Sequence, residues 1–118
     1  MSKSVLKEKS FLFAVRTVKL YTYLSGTKKE YVLSKQLLRS GTAVGALIRE
    51  AQNAESKADF IHKLGIAQKE CDETLYWIEL LKETEFITKS EFESLNFDCT
   101  ELLKMIRSSI ITSKKNNS

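Results

Sequence analysis

Asp59 and His62 stand three residues apart, and no other carboxylate lies at metal-ligand helical spacing from the chain's single histidine. A carboxylate-bridged metal pair in a helical bundle draws one Glu from each of two helices and a Glu-x-x-His from each of two others. One histidine cannot supply that set, and His62 lies off the apolar stripe of its segment, as a solvent-facing imidazole would. His62 has no nearby Ser or Cys partner in sequence, and there is no G-x-S-x-G elbow. Gly41-x-x-x-Gly45 sits inside a helical pattern with no Lys-Ser/Thr after it, so it is not a phosphate loop. Cys71 and Cys99 show no C-x-x-C spacing and fall within helical patterns, where a free thiol behaves as a small apolar residue. The residues therefore predict no enzyme, no metal and no cofactor.

Charges among apolar residues carry the next signal. Arg39, Glu50 and Glu73, with Glu70, fit either an anion or acid–base site or a set of inter-helix ion pairs. A buried charge needs a partner, and the ion-pair reading is preferred: Arg39 with Glu73, or with Glu50 of a neighbouring chain. Lys9, Arg16, Lys19, Lys28, Lys29 and Lys35 form a candidate phosphate-binding surface, read through the nucleic-acid backbone and sensitive to salt. The net charge is only +4, yet residues 1–40 hold nine Lys/Arg against two acids, and residues 41–103 hold six against thirteen. Such asymmetry suits a polyanion partner, a contact between subunits of opposite sign, or a solvated surface.

The elements that must position these residues are helices. The chain has 118 residues, no proline and four glycines, too few turn formers for a β-sandwich and enough length for one domain spanning 1–118. Periodicity predicts helices over about 7–25, 30–54, 57–84 and 90–112, with a disordered tail at 113–118. In the first, Phe11, Ala14, Val15, Val18, Tyr21 and Leu24 read as the core stripe, and Gly26 as a C-cap. The second holds Gln36 to Ala51, where Gly41 and Gly45 each cost about 1 kcal/mol against alanine; close approach by another helix would offset that. The third carries a core stripe from Phe60 to Leu81 and a second apolar stripe, Ile66, Trp77 and Leu80, which reads as a subunit interface. Ser56 with Asp59, and Thr88 or Ser90, are N-cap candidates. Short connections imply an all-α, antiparallel up-down-up-down four-helix bundle. No apolar run is long enough for a membrane span and no signal-peptide stretch opens the chain, which predicts a cytoplasmic protein.

Phe11-Leu12-Phe13-Ala14, the Gln36–Ala51 stretch, Lys57-Ala58-Asp59-Phe60, the run from Lys69 to Trp77 and Glu101-Leu102-Leu103 occur in an order and spacing that resembles a bacterial family. It is the four-helix-bundle family encoded in intervening sequences of 23S ribosomal RNA, related to accessory proteins of diversity-generating retroelements. Two positions depart from its pattern: Ala43 replaces a usual serine, and Leu47 a usual asparagine. The resemblance implies a four-helix bundle and assembly as a homo-oligomer, with a pentameric ring expected. It also implies association with nucleic acid and with a ribonucleoprotein or reverse transcriptase partner. Together with the residues it predicts a non-enzymatic oligomer that binds RNA or DNA through phosphates. The alternative is an oligomeric adaptor whose partner is a protein docking on Ile66, Trp77 and Leu80.

Overall fold

The computed structural model describes residues 3–116. Four helices follow one another: α1 (Lys3–Gly26), α2 (Leu33–Gln52), α3 (Lys57–Glu83) and α4 (Lys89–Lys115). They form an all-α four-helix bundle of 52 × 22 × 19 Å. Each helix packs along the next in the chain, whereas α1 and α4 meet only lightly. The bundle is therefore closed on three seams and loose on the fourth.

Local chemistry fixes the helix ends. Ser56 Oγ accepts the Asp59 N–H (3.0 Å), and the Asp59 carboxylate accepts the Glu55 N–H (3.4 Å). Thr88, not Ser90, caps α4: its hydroxyl accepts the Glu91 N–H (3.1 Å) while the Glu91 carboxylate accepts the Thr88 N–H (2.7 Å), a full capping box. At the end of α3 the Phe86 N–H reaches the Leu81 carbonyl and the Glu85 N–H the Lys82 carbonyl. This is a Schellman motif with Glu85, at φ 65°, where glycine is usual.

Several boundaries differ from the periodicity. Helix α1 starts by Lys3 instead of fraying to Lys7, because Leu6 is buried in the core. Gly26 does not take positive φ; Lys29 does, at 58°, and the Glu30 N–H closes the turn on the Leu24 carbonyl (2.9 Å). Helix α2 begins at Leu33, not Glu30. Helix α4 runs past 112 to Lys115, so residues 113–115 of the expected disordered tail are helical. Ile110 still packs on the core there, and Ser113 lies against the α2–α3 connection. Residues 117 and 118 of that tail lie outside the described residues.

The core face of α1 is the main correction. It is Leu6, Ser10, Phe13, Thr17 and Leu24, with Leu20 packed beside them; Phe11 and Val18 of the expected stripe are 53% and 45% exposed. The reason lies on α2. A Cβ on Gly41 would stand 2.5 Å from Thr17 Cγ2, and one on Gly45 3.1 Å from the Ser10 carbonyl oxygen. The two glycines bring the helix backbones together, and only short side chains fit opposite them. Ser10 and Thr17 donate to their own helix, to the Lys7 and Ala14 carbonyls (3.1 and 2.8 Å), so burial leaves neither hydroxyl unsatisfied. Across the α2–α3 seam the buried hydroxyls of Ser40 and Thr74 bond to one another at 2.9 Å. Cys71 and Cys99 are both buried between α3 and α4.

Candidate nucleic-acid interface

The six basic residues singled out by sequence fall in two connected places. Lys9, Arg16 and Lys19 line a groove of about 370 Å³ along the loose α1–α4 seam, together with Leu12, Phe97, Asp98 and Glu101. Lys28 and Lys29 lie in the connection after α1, and Lys35 is exposed on the first turn of α2. Lys28 also lines a depression at that end of the bundle with Lys82, Lys89 and the carboxylates Glu85 and Glu91. A helix rises about 1.5 Å per residue, so the basic positions follow one edge of α1 from the middle of the bundle to its end.

Their electrostatic states differ. Arg16 is neutralised: Nη1 donates to Asp98 (2.7 Å) and Nη2 to Ser94 (2.8 Å), tying α1 to α4 across the groove. Among the described residues Lys9, Lys19, Lys28, Lys29 and Lys35 take part in no ion pair. The acid-rich half is mixed: Arg49, Lys57, Lys69 and Lys89 also take part in no ion pair among the described residues. Lys63 pairs with Glu50 (3.1 Å), and Lys82 pairs with Glu83 (3.1 Å) while lying over the Phe92 ring.

Arg39 joins α2 to α3. Its guanidinium bonds to Glu73 and lies 3.3 Å from Glu70, and Glu73 also accepts the Trp77 indole N–H (3.0 Å). The Arg39 bond, then the indole, hold the Glu73 carboxyl below its usual range, and the Glu73 bond raises the Arg39 guanidinium further. Glu50 is not part of this cluster, because its carboxylate faces the first turns of α3 and takes Lys63 instead. Ile66, Trp77 and Leu80 are half-buried, and Trp77 packs against the core. The large apolar side chains most open to solvent are Val32 before α2, Phe97 on α4 and Leu12 on α1, at 59–71%, while on α3 itself Tyr76, edge-on to Trp77, is 56% exposed.

Sequence reasoning did not find Glu30. It is 9% exposed, and its carboxylate accepts the N–H groups of Val32 (3.1 Å), Leu33 (2.9 Å) and Ser34 (2.7 Å) at the start of α2. Burial pushes its carboxyl upward, but the three backbone donors outweigh that and leave it below the usual range. The signal was an acid three residues ahead of an apolar periodic run. His62 is exposed on α3. The Cys99 thiol donates to the Cys71 carbonyl (3.6 Å), and its contact with Cys71 together with burial raises its pKa, holding it protonated and unreactive. No group of three or more His, Cys, Asp or Glu among the described residues is placed to hold a metal ion. No helix among them is long and apolar enough to cross a membrane.

The pattern described as 23S rRNA-intervening sequence protein matches residues 2–108. The chain belongs to that family. A solved structure from Bacteroides thetaiotaomicron, a protein of unknown function from the S23 ribosomal protein family, is 56% identical. It superposes with a TM-score of 0.92 over 93% of this chain and 98% of its own. No curated protein matches by sequence. Within this intervening-sequence family fold, Ala43 and Leu47 are half-buried, and Leu47 packs on the core. An apolar side chain at 47 is thus accommodated without a buried polar group to satisfy.

Proposed function

We propose that this protein is a non-enzymatic, homo-oligomeric bundle of the cytoplasm that associates with RNA or DNA through phosphate-directed lysines. The observation that carries the reading is the clustering of unpaired lysines along one edge of the bundle. Lys9, Lys19, Lys28, Lys29 and Lys35 follow one edge of α1 and the adjoining end of the bundle, and none of them forms an ion pair among the described residues. Five unpaired cations per chain bind weakly alone. Repetition on every subunit of a ring, the expected pentamer included, multiplies them through effective concentration. Unpaired lysines read phosphates and not base edges, so sequence preference is low. The non-enzymatic part is supported by the thiols and Glu73 being held in structural contacts.

A second reading, an oligomeric adaptor for a protein partner, is favoured by the exposed Leu12 and Phe97 on the α1–α4 groove. Salt separates the two. Binding of a labelled structured RNA should weaken steeply between low and physiological salt. Lys28→Glu with Lys29→Glu should lower the affinity and flatten the log–log salt slope by about 1.4 where the contacted strand is single, at about 0.7 per lost contact. No binding at low salt by an intact oligomer rules out the nucleic-acid reading.

A further inference from the structure

Helix α1 is apolar on the side facing away from its own core. Phe11, Val15 and Val18 fall within about 60° of one another on the helical wheel, opposite Leu6, Phe13 and Leu24. A helix apolar on every side is a helix covered on every side, and a contiguous exposed apolar patch marks a contact. Lys7 and Lys19 flank this face, with Glu8 between Val15 and Lys19 on the wheel, and all three charges are exposed. The Arg49 guanidinium of α2 lies over one side of the Phe11 ring, 5.8 Å from its centre.

Gly65 supplies an independent observation. The glycines inside α2 mark close approach by another helix, as the 2.5 and 3.1 Å positions opposite Gly41 and Gly45 show. Gly65 sits within α3 and carries the same helix penalty, yet nothing in its own chain stands within 4 Å of where a Cβ would be. The surface around it carries carboxylates that complement the lysines flanking the α1 face, with one large exposed ring, Tyr76. Gly65, Asp72, Tyr76 and Glu83 follow at intervals of seven, four and seven, with Glu79 beside them; Tyr76 is 56% exposed. Lys69 is a cation on this face.

We infer that this surface of α3 seats the outer face of α1 from a second copy of the chain. With the helices antiparallel, Lys19 of one copy opposes Asp72 of the next, Lys7 opposes its Glu79 and Glu83, and the end of α1 passes over Gly65. In the assembly Lys9, Lys28, Lys29 and Lys35 then remain for phosphate. The inference rests on the homo-oligomeric part of the proposed function and names its contact. Two different patches meet, so every copy offers both, and the contact is heterologous.

The test uses two variants and their mixture, with mass read by light scattering and folding by circular dichroism. Gly65→Leu fills open space on a helix, so the fold is retained, and it blocks the α3 face. Val18→Glu blocks the α1 face. The wild type is expected to exceed the 13.5 kDa chain mass, and each variant to run as a monomer. The mixture should form a species of two chains, because each variant keeps the face the other lacks. A monomeric wild type, an unchanged mass for folded Gly65→Leu, or a mixture that stays monomeric overturns the inference. RNA binding at low salt is measured on the same samples. An assembled protein that ignores RNA leaves the contact standing and removes the nucleic-acid reading. A monomeric wild type that binds RNA does the reverse.

Discussion

At the scale of single residues, the charges that matter are those that replace a missing backbone partner. The first N–H groups of a helix have no acceptor within it, and at α2 Glu30 supplies one carboxylate to three of them. Loss of a side-chain acceptor at a helix start costs about 1 kcal/mol, and charge-assisted bonds lie at the upper end. Glu30→Ala should therefore lower the midpoint of urea unfolding with the slope unchanged; an unaltered midpoint would remove Glu30 from the stabilising contacts. The pH dependence has a definite sign. The folded carboxyl lies below the ordinary 4.5, so its contribution is complete above about 4.5 and disappears as pH falls through the lower folded value. Wild type should lose more stability than Glu30→Ala on going from neutral pH to pH below 4.5. Glu73 has the same sign, but the Arg39 side chain it pairs with is 49% exposed and solvent screens the pair.

At the scale of elements, the α1–α2 seam rests on the absence of side-chain atoms. Gly41→Ala gains helix propensity worth about 1 kcal/mol but drives a methyl into Thr17 Cγ2 at 2.5 Å, and overpacking costs about 1–3 kcal/mol. A net loss of thermal stability is expected, largely restored by Thr17→Ser, which removes the opposing methyl and keeps the hydroxyl. Equal melting temperatures for Gly41→Ala alone and with Thr17→Ser would disprove the contact; a double-mutant cycle measures it. The same seam explains what was legible in the sequence. Small residues from Ser40 to Ala46 announced a close approach, and helix number, order and type followed from periodicity and the caps at Ser56 and Thr88. The face of α1 was misread because it is apolar nearly all round, so apolar residues alone do not fix its phase. Leu6, Ser10, Phe13, Thr17, Leu20 and Leu24 keep a strict alternation of four and three, but two are hydroxyls. The six basic positions were legible as types; which of them are neutralised was not, because Arg16 meets Asp98 only through the fold, 82 residues away.

At the scale of the whole molecule, the loose α1–α4 seam links stability to assembly. Helices α2 and α3 each have two close neighbours, whereas α1 has only α2 and α4 only α3; α1 and α4 meet lightly, bridged by Arg16 to Asp98 and Ser94. Local opening has its lowest free energy where few buried contacts hold an element, so α1 and α4 should open before α2 and α3 separate. Covering the outer face of α1 by a second copy would oppose that opening, and mass action makes the protection depend on concentration. Amide hydrogen exchange followed helix by helix should therefore show α1 and α4 less protected than α2 and α3 in monomeric Gly65→Leu. In the wild type, α1 protection should rise with protein concentration while α2 and α3 change little. Equal protection of α1, α2 and α3 in the monomer would mean that the fourth seam is as strong as the others. Protection of α1 that ignores concentration would mean that its apolar outer face meets no second copy in solution.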